Sequence, residues 1–314
     1  MKNVCVIGIG ELTLDEMYIE EAGKLKLVKK DAGGTVWNML CNLSMEGIKT
    51  IAVGACGDDE DGKRCVQSLE EFNVSTKYVK RQLKNTRKVH IMIKKDSVDE
   101  SELTANSYKS PVSEEEVKQN TNNKWIRNIQ IENIHEYEQC IVVINCLRKE
   151  YFDYAFELKK KNNKIKIALD IGYRGFVRYI SKQKIIEFLK NIDILQTNEK
   201  VYRFMEISKK LTYEDIMNET NIEIMSITKG SKGVDFIYKE NENIKVHKCE
   251  ITSPAKVIDP SGAGDAFFAT LLNAYMKETK ITSKFLDKTF ENAIEVTKNV
   301  VGIIGAREHL RRKR

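Results

Sequence analysis

Residues 257–275 read Val257-Ile-Asp-Pro-Ser-Gly-Ala-Gly-Asp-Ala-Phe-Phe-Ala-Thr-Leu-Leu-Asn-Ala-Tyr275. This is the pattern of an apolar strand end, a turn of small residues and a long apolar helix. Gly262-Ala-Gly264 lets the backbone come close to a ligand, and the following helix directs its free N–H groups and the positive end of its dipole at the same place. The stretch therefore predicts a phosphate-binding turn at a helix N-terminus.

Asp265 is the unusual residue of this stretch, because it adds a negative charge where an anion is expected to bind. Acidic residues are common in the first turn of helices, where their interaction with the dipole is worth roughly 0.3–1 kcal/mol without any catalytic role. A carboxylate beside a phosphate site is also what phosphoryl transfer to an alcohol requires. It takes the hydroxyl proton while the turn N–H groups stabilise charge on the transferred group. These residues alone leave both interpretations open.

The rest of the chain alternates short strand-like runs with helix-length segments. Val4-Cys-Val-Ile7 opens the first strand. Further runs rich in β-branched residues cover residues 50–53, 141–145, 165–169, 192–195 and 224–227. Residues 149–161 and 181–191 have the length and composition of helices. A strand followed by a helix, repeated along the chain, predicts an α/β fold with a mainly parallel sheet and helices on both faces.

Two regions depart from this alternation. Residues 17–30 and 87–110 show short polar–apolar alternation, as in Lys88-Val-His-Ile-Met-Ile-Lys94. Such a pattern predicts antiparallel strands that bury one face. We therefore expect these two regions to form a second, small sheet that stands off the main domain.

The composition excludes several classes of protein. Of 314 residues, 41 % are hydrophobic and 31 % are charged. No apolar run approaches the roughly 18 residues that span a bilayer. Met1-Lys-Asn-Val is not a charged leader followed by an apolar segment. A membrane protein, a secreted protein and a disordered chain are therefore not expected, and the predicted location is the cytoplasm.

The chain is mildly basic, because 52 Lys and Arg residues against 46 Asp and Glu residues give a net charge of +6. Its densest basic cluster is Arg311-Arg-Lys-Arg314, which we interpret as a solvated terminus. No zinc-finger or RNP-type motif accompanies this cluster. Neither nucleic acid nor a membrane is therefore a predicted partner.

Cysteines and histidines give no sign of a metal site in the sequence. The seven cysteines are an odd number and form no CxxC pair, which predicts free thiols in a reducing compartment. The four histidines, His90, His135, His247 and His309, lack metal-ligand spacing. We interpret them as surface or packing residues.

Several motifs together resemble a known family. Asp259-Pro-Ser-Gly-Ala-Gly-Asp265 resembles the Asp-Thr-x-Gly-Ala-Gly-Asp signature of the ribokinase-like (PfkB) carbohydrate kinases. Other segments match that family in the right order along most of the chain. They are Gly10-Glu-Leu-Thr-Leu-Asp15, Gly33-Gly-Thr-Val-Trp-Asn38, Val53-Gly-Ala-Cys-Gly-Asp58, Thr228-Lys-Gly-Ser-Lys-Gly233 and Asn292-Ala293.

The resemblance implies a fold and an activity. The fold is a ribokinase-like αβα sandwich with a mainly parallel central sheet and a small β-sheet lid. Residues 1–14, 31–86 and 111–314 are then the nucleotide-binding domain, and residues 15–30 and 87–110 are the lid. The implied activity is ATP-dependent phosphorylation of a hydroxymethyl group on a small sugar or sugar derivative, with Mg²⁺ as cofactor. Family members often form homodimers through the lid.

The resemblance also implies roles for the matched residues. Asp265 is the base for the acceptor hydroxyl, with an anion hole formed by Gly262, Ala263 and Gly264. The acceptor is held by Asp15, Gly33, Gly34 and Asn38. ATP is contacted by Asn198, Thr228, Gly230, Gly233 and Asn292. Asp259 helps to hold a monovalent cation, such as K⁺, in members that use one.

Three positions depart from the family pattern. Val201 stands where the family's Asn-x-x-Glu places a glutamate near magnesium, and Glu199 comes two positions early. Pro260 replaces the signature threonine and so removes a backbone donor. In Asp170-Ile-Gly-Tyr-Arg174 a glycine replaces the Asn of several sugar kinases. Arg174 is a candidate to bind an acceptor carboxylate or a phosphate, although an exposed structural arginine fits as well.

Two other functions are compatible with these motifs. A nucleoside kinase of the same fold stacks a base beneath the lid, for which Tyr18 and Tyr108 are candidates. A non-catalytic nucleotide- or sugar-binding regulator is favoured only by Val201, and the intact glycine turn argues against it. Trp37 is expected in the core or in lid packing, where it could also wall the acceptor pocket.

Overall fold

The β-branched runs of the sequence form the centre of one large sheet. The computed structural model describes residues 3–21, 23–93, 123–145, 149–172, 175–253, 255–278 and 280–313. Its strands are β1 (Val4–Glu11), β2 (Thr13–Glu21), β3 (Lys24–Gly33), β4 (Lys49–Gly57), β5 (Ser75–Leu83), β6 (Arg87–Ile93), β7 (Gln139–Ile144), β8 (Ile165–Ile171), β9 (Ile194–Asn198), β10 (Ile224–Thr228), β11 (Val234–Glu240) and β12 (Asn243–Cys249).

Nine of these strands form the large sheet in the order β12-β11-β10-β9-β8-β7-β1-β4-β5. The seven strands from β10 to β5 are mutually parallel, whereas β11 and β12 continue the sheet as an antiparallel edge. The predicted strand–helix alternation and the mainly parallel sheet are thus confirmed. Because parallel strands end at the same edge, the loops that follow them converge there.

Helices cover both faces of this sheet. Within the described residues they are α1 (Thr35–Met45), α2 (Glu60–Glu71), α3 (Lys149–Lys161), α4 (Gly175–Arg178), α5 (Lys182–Leu189), α6 (Glu199–Lys209), α7 (Tyr213–Glu219), α8 (Ala263–Lys277), α9 (Ser283–Val301) and α10 (Glu308–Arg311). Side chains alternate along each buried strand, so Val6 packs in one apolar cluster and its neighbour Ile7 in the other. The cluster around Val6 includes Leu40 of α1 and Phe268 of α8.

The small sheet has three strands in the order β3-β2-β6. β2 and β3 pair antiparallel, as expected, but β2 and β6 pair parallel. The antiparallel prediction is therefore wrong for β6. The reason is topological: the chain crosses the large domain through α1, β4, α2 and β5 before it returns, so β6 enters the small sheet in the same direction as β2. Residues 94–110, which the prediction also included, lie outside the described residues.

The C-terminal basic cluster is not simply a solvated terminus. The Arg311 guanidinium donates to Asp31 of β3, with nitrogen–oxygen distances of 2.6 and 3.0 Å, and also to Glu71 of α2. Lys29 of β3 pairs with Glu308 at 2.7 Å. The solvated interpretation is therefore wrong for Arg311, because acidic groups of two other elements surround it. These ion pairs tie the small sheet to α10.

Trp37 belongs to the core of the large domain. Its side chain is fully buried, and its indole Nε1 donates to the carbonyl oxygen of Glu11 at 2.8 Å. Its ring fills the space beside Gly10, Gly34 and Gly54. The expected core position is confirmed. No helix in the described parts of the chain combines the length and apolar character needed to cross a membrane.

Candidate active site

Most of the predicted site residues lie at the edge where the parallel strands end. Thr228 and Asn198 are the last residues of neighbouring strands and pair directly in the register of β10 and β9. Asp170 lies near the end of β8, opposite Gln196 of β9. Asp15 enters from β2 of the small sheet. Ligands of open α/β sheets bind at this edge, so the geometry predicts a site here.

A chain of hydrogen bonds joins Asp265 to residues far away in the sequence. The Asn38 side-chain Nδ2 donates to Asp265 Oδ2 at 2.7 Å. The Arg307 Nε donates to Asn38 Oδ1 at 2.8 Å. Because both polar atoms of the Asn38 amide are bonded, its orientation is determined: Nδ2 faces the carboxylate and Oδ1 faces the guanidinium.

Arg307 is a site residue that the sequence analysis missed. Its side chain is almost fully buried. Besides Asn38, it donates to Ser68 Oγ at 2.9 Å and to the carbonyl oxygen of Gly33 at 3.1 Å. A buried guanidinium is costly unless its donors are satisfied, so Arg307 holds the glycine segment and the amide in one arrangement. The only sequence signal was a basic residue near a basic terminus, which does not distinguish a buried arginine from a solvated one.

Asp15 and Gly33 lie in contact across the small sheet. The Asp15 side chain is buried. A Cβ built on Gly33 would lie 2.0 Å from the Asp15 carboxyl group, so a side chain at position 33 would displace that carboxylate. Gly34, the next residue, is the N-cap of α1, which carries Asn38. The structure thus brings together four of the five residues predicted to bind the acceptor, and the fifth, Arg174, lies outside the described residues.

Burial raises the pKa values of the two carboxyl groups of this cluster, Asp265 and Asp15, towards neutral pH. Desolvation raises the pKa of Asp265 to about 6, and the Asn38 hydrogen bond and the Arg307 charge partly offset the shift. Desolvation raises the pKa of Asp15 to about 7, an effect that Arg307 opposes and the charge of Asp265 strengthens. A carboxylate with a pKa near 6 is ionised at neutral pH yet remains a stronger base than an exposed one.

Asp170 is a third carboxylate of the site. Asn145 Nδ2 donates to its Oδ2 at 3.1 Å, and Gln196 Nε2 lies 3.4 Å from its Oδ1. Gln196 Nε2 also donates to the carbonyl oxygen of Gly264 at 3.1 Å, which links this carboxylate to the glycine turn. Desolvation and the charge of Asp265 raise the pKa of Asp170 to about 7. In the sequence, Asp170 stands out only as the first residue of the segment that ends at Arg174.

The glycine turn and α8 have the conformation that their sequence predicts, but the strand end expected before them is wrong. Val257 and Ile258 are exposed and belong to no strand, because the N–H groups of Ile258 and Asp259 donate to the carbonyl oxygen of Val301 at the end of α9 instead of to a neighbouring strand.

Gly262 is the N-cap of α8 with a φ of 84°, and a Cβ there would lie 2.5 Å from that of Ala306. Both features require glycine. A Cβ on Gly264 would meet no heavy atom within 4 Å, so the space beside its backbone is open. The Ala263 N–H donates to the carbonyl oxygen of Pro260 at 3.2 Å, so it is already engaged within the turn.

Asp259 is buried below the glycine turn. Its Oδ1 accepts the N–H of Ser261 at 2.9 Å and its Oδ2 accepts the N–H of Gly305 at 2.8 Å. The carboxylate forms no ion pair within the described residues. Its oxygens could serve as hard ligands for a monovalent cation, so the residue fits the predicted role. Gly305 comes two residues before Arg307, so the same segment supports both Asp259 and Asn38.

The predicted nucleotide residues are less tightly connected. Asn198 Oδ1 accepts the N–H of Val201 at 2.9 Å as the N-cap of α6, and its Nδ2 donates to the carbonyl oxygen of Gly172 at 3.1 Å. Thr228 Oγ1 lies 3.4 Å from the carbonyl oxygen of Thr197. The backbone thus already uses both polar atoms of the Asn198 side chain, which orders the end of β9 and the start of α6.

Two of the remaining residues predicted to bind the nucleotide, Gly230 and Asn292, are exposed to solvent. Gly230 begins a short 3₁₀ turn, Gly230–Lys232, and is exposed, whereas Gly233 is buried with a φ of 107°. Asn292 is exposed on α9. Backbone groups rather than interlocked side chains therefore form this part of the site.

Position 201 cannot supply a carboxylate. The Val201 side chain is buried in the apolar cluster that includes Met205. Glu199 forms an ion pair with Arg203 at 2.9 Å on the same helix. The glutamate that the resemblance places near magnesium therefore has no equivalent at either position of α6.

Tyr18 is occupied by contacts within the small sheet. Its hydroxyl donates to Glu16 at 2.9 Å, and its ring packs edge-on against His90 with centroids 5.5 Å apart. Glu16 follows Asp15 in β2 and so points to the opposite face of the sheet. Tyr18 therefore lies on the side away from the Asp15 carboxylate. Tyr108 lies outside the described residues.

The chain is similar in sequence and in fold to several known proteins. A model described as pfkB family carbohydrate kinase matches residues 1–301. An uncharacterized sugar kinase of Pyrococcus horikoshii is 26 % identical over 288 residues, which cover 87 % of this chain and 83 % of that protein. Its crystal structure in complex with ATP has a TM-score of 0.66 and 21 % identity, covering 96 % of this chain and 93 % of its own.

Two further solved structures share the fold. Methanocaldococcus jannaschii nucleoside kinase, described as an archaeal member of the ribokinase family, has a TM-score of 0.71 at 19 % identity and covers 97 % of this chain and 94 % of its own. A Vibrio cholerae fructokinase bound to fructose, ADP and calcium ion has a TM-score of 0.66 at 16 % identity, with coverages of 98 % and 96 %. With nearly the whole chain matched by the family model, this protein belongs to the pfkB family of carbohydrate kinases, phosphotransferases whose acceptor is an alcohol group.

Proposed function

We propose that this protein transfers the terminal phosphoryl group of ATP to a hydroxymethyl group of a small sugar or sugar derivative. The observation that carries the proposal is the position of Asp265. This carboxylate lies in the first turn of α8, directly after an open glycine turn, and accepts a hydrogen bond from Asn38 at 2.7 Å. A base and an anion-binding turn thus meet at one point, as transfer to an alcohol requires.

The reaction follows from these groups. Asp265 accepts the proton of the acceptor hydroxyl as the oxygen–phosphorus bond forms and the bond to the ADP oxygen breaks. Asn38 and Asp15 hold further hydroxyl groups of the acceptor, because an amide and a carboxylate provide the donors and acceptors that a polyol needs. Gly33 and Gly34 let the acceptor approach the backbone.

The glycine turn stabilises the charge of the transferred group. The N–H groups of Gly262 and Gly264, at the positive end of α8, face that charge. Ala263 contributes less, because its N–H already donates to Pro260. ATP enters as its Mg²⁺ complex. Val201 offers no ligand to that ion, so we assign its coordination mainly to the nucleotide phosphates and water, which is common for Mg²⁺.

Asn198, Thr228, Gly230, Gly233 and Asn292 form the nucleotide site in this proposal. The structure of the Pyrococcus sugar kinase in complex with ATP supports the choice of nucleotide. Asp259 holds a monovalent cation, which we take to be K⁺. Its two backbone hydrogen bonds place its buried carboxylate beneath the glycine turn, where a cation partly neutralises it. Arg174 remains a proposed ligand for an acidic group of the acceptor.

A nucleoside is the second candidate acceptor. The nucleoside kinase of Methanocaldococcus jannaschii is 33 % identical over 97 residues, which cover 31 % of this chain and 30 % of that protein. Its structure has the TM-score of 0.71 given above. Against this candidate, the Tyr18 ring is directed away from Asp15 and cannot stack on a base held there. We therefore keep the sugar as the first choice.

We propose that the small sheet acts as the lid of a cytoplasmic homodimer. The domains are those predicted from the sequence, with residues 15–30 and 87–110 as the lid. β3 exposes Leu25, Leu27 and Val28, of which Leu25 is 56 % exposed. A strand edge with exposed apolar side chains fits a second copy of this sheet. Light scattering of the wild type and of L25E/L27E tests this: a dimer that dissociates in the variant supports it, and a monomeric wild type contradicts it.

The activity is tested by measuring ADP release from Mg–ATP against a panel of sugars, sugar acids and nucleosides. Acceptor-dependent release that is lost in Asp265→Asn establishes the kinase and identifies the acceptor class. Asp58→Asn is the matched control, since the Asp58 side chain is exposed. Equal rates in Asp265→Asn and the wild type on the best acceptor would remove Asp265 from the mechanism.

A further inference from the structure

Three side chains with metal-binding atoms meet away from the proposed active site. They are His247 and Cys249 of β12 and Asp287 of α9, and one ligand atom from each lies within 4.8 Å of the others. Among the described residues this is the one such group of three or more His, Cys, Asp or Glu side chains. His247 Nε2 lies 2.7 Å from Asp287 Oδ1, and Cys249 Sγ lies 4.0 Å from the same oxygen.

The backbone explains how these side chains meet. His247 and Cys249 are two positions apart on one strand, so they share a face of the sheet. That face is covered by α9, on which Asp287 occupies the second turn. β12 is the edge strand of the large sheet, so solvent reaches the group from one side.

A simple ion pair accounts for only part of this arrangement. It explains His247 and Asp287 but leaves the thiol of Cys249 turned towards the same oxygen without a strong partner. Three ligands of a tetrahedral Zn²⁺ ion, with bonds of about 2.0–2.3 Å, lie roughly 3.3–3.6 Å apart. The observed separations of 2.7 and 4.0 Å fall on either side of that range. The Asp287 side chain is 58 % exposed, so it is not held in place by packing and has room to adjust its oxygen between the two partners.

We propose that His247 Nε2, Cys249 Sγ and Asp287 Oδ1 bind a divalent cation of the Zn²⁺ class. Imidazole and thiolate favour Zn²⁺ over the hard ions Mg²⁺ and Ca²⁺, which prefer oxygen ligands. The thiol proton passes to the buffer as the sulfur–metal bond forms. The fourth position is open to solvent on the Asp287 side, and water fills it. This site is separate from Asp259, which offers only oxygen ligands.

The cation would act on the nucleotide side of the protein. A Cβ on Gly233 would lie 2.0 Å from the carbonyl oxygen of Cys249, so the backbone at Gly233 is in direct contact with Cys249, one of the proposed ligands. Asn292 lies five residues after Asp287 on the same helix. A bound ion therefore joins the two elements that carry Gly233 and Asn292 in our assignment. This consequence rests on the proposed function, whereas the binding itself does not.

Binding is tested on the full chain, treated with a chelator and then freed of it, without any nucleotide. Co²⁺ is titrated first, because a cobalt–thiolate bond gives a charge-transfer band in the near ultraviolet, and Zn²⁺ is then used to displace it. We expect one equivalent to bind and the thermal unfolding temperature to rise. Cys249→Ser should abolish the band and weaken Zn²⁺ binding at least about 100-fold, more than loss of an outer-shell partner costs. Asp287→Ala and His247→Gln should each weaken it as well.

Matched controls and opposite outcomes make the test decisive. His135→Gln and Asp58→Ala alter exposed residues outside the group and should bind like the wild type. Asp287→Ala changes an exposed side chain, so it tests the site even if Cys249→Ser folds poorly. The proposal is overturned if the wild type gives no band, if the band survives in folded Cys249→Ser, or if all variants bind Zn²⁺ equally.

The effect on the nucleotide side is measured separately. With Mg²⁺ in excess, Zn²⁺ at one equivalent should change the KM for ATP by roughly 2–10-fold in the wild type and leave it unchanged in Asp287→Ala. If one equivalent of Zn²⁺ binds but the KM for ATP does not change, the coupling to the nucleotide side is refuted. The cation site itself is then still supported. Absence of any kinase activity would refute the proposed function, and the cobalt titration would still decide whether the cation site exists.

Discussion

The acceptor side and the nucleotide side of the proposed site are built in different ways. On the acceptor side, Asn38, Asp265 and Arg307 come from three distant parts of the chain and interlock through buried side chains. On the nucleotide side, Asn198 and Thr228 end adjacent strands, and their polar atoms bond mainly to nearby backbone. Asn292 and Gly230 are exposed.

This difference predicts different sensitivity to substitution. A network of buried side chains has little room to adjust, so loss of one member displaces the others and leaves polar groups unsatisfied. A site made of backbone groups depends on the conformation of loops and loses less when one exposed side chain is removed. Substitutions on the acceptor side should therefore have large effects, and those on the nucleotide side should have small ones.

The largest effect is expected for Asp265→Asn. The amide keeps the size of the side chain but cannot accept the hydroxyl proton, so kcat should fall by at least ~10²-fold. ATP binding should be nearly unchanged, because no nucleotide contact is removed. Isothermal titration with ATP and steady-state rates on the best acceptor measure the two properties. Weakened ATP binding together with an unchanged kcat would instead assign Asp265 to the nucleotide side.

Arg307→Met should have the next largest effect. Without the guanidinium, the Asn38 amide is free to rotate and Ser68 loses its donor, so kcat/KM for the acceptor should fall roughly 10–100-fold. The Arg307 charge also lowers the pKa of Asp265, which is about 6 in the wild type. The rise of kcat/KM with pH should therefore be centred near 6 in the wild type and shift to higher pH in the variant.

Two further variants separate positioning from a general loss of structure. Arg311→Met removes a neighbouring arginine that contacts Asp31 and Glu71 but not Asn38, so it should leave the pH profile in place. Arg307→Lys retains the positive charge but lacks the planar guanidinium with its several fixed donors. It should therefore restore the pH dependence of kcat/KM more fully than the magnitude of kcat/KM. A purely structural role for Arg307 would instead lower the unfolding temperature with the wild-type pH profile intact.

The same contrast explains which features the sequence could predict. The glycine turn and the helix after it are local patterns, so residues 257–275 were enough to predict both, although the strand end expected at Val257 is not formed. Arg307 is 269 positions from Asn38, and no local pattern reports a contact over that distance. The direction of β6 was missed for a related reason. Polar–apolar alternation shows that a strand is half-buried, but not on which side or in which direction it pairs.

Asp170→Asn should stabilise the protein in a pH-dependent way. The folded state holds the Asp170 proton up to a pKa of about 7, whereas the unfolded chain releases it near 3.8. Between those values the folded state binds more protons, so the free energy of unfolding falls as pH rises. At pH 8 the variant should be more stable than the wild type by at least ~1 kcal/mol, and near pH 4 the difference should vanish. Urea unfolding at the two pH values measures this, with Asp58→Asn as the control.

The smallest effect is expected for Asn292→Ala. Asn292 is exposed on α9 and makes no side-chain hydrogen bond to another described residue, so its removal leaves no buried group unsatisfied. A single solvent-accessible hydrogen bond to the nucleotide contributes roughly 0.5–1.5 kcal/mol, which corresponds to a rise of about 2–10-fold in the KM for ATP with kcat unchanged. A fall in kcat as large as that of Arg307→Met would show that the nucleotide side is as tightly constrained as the acceptor side. In that case, exposure of a side chain in the free protein would not predict tolerance to its substitution, because bound ATP would complete a network of contacts around α9.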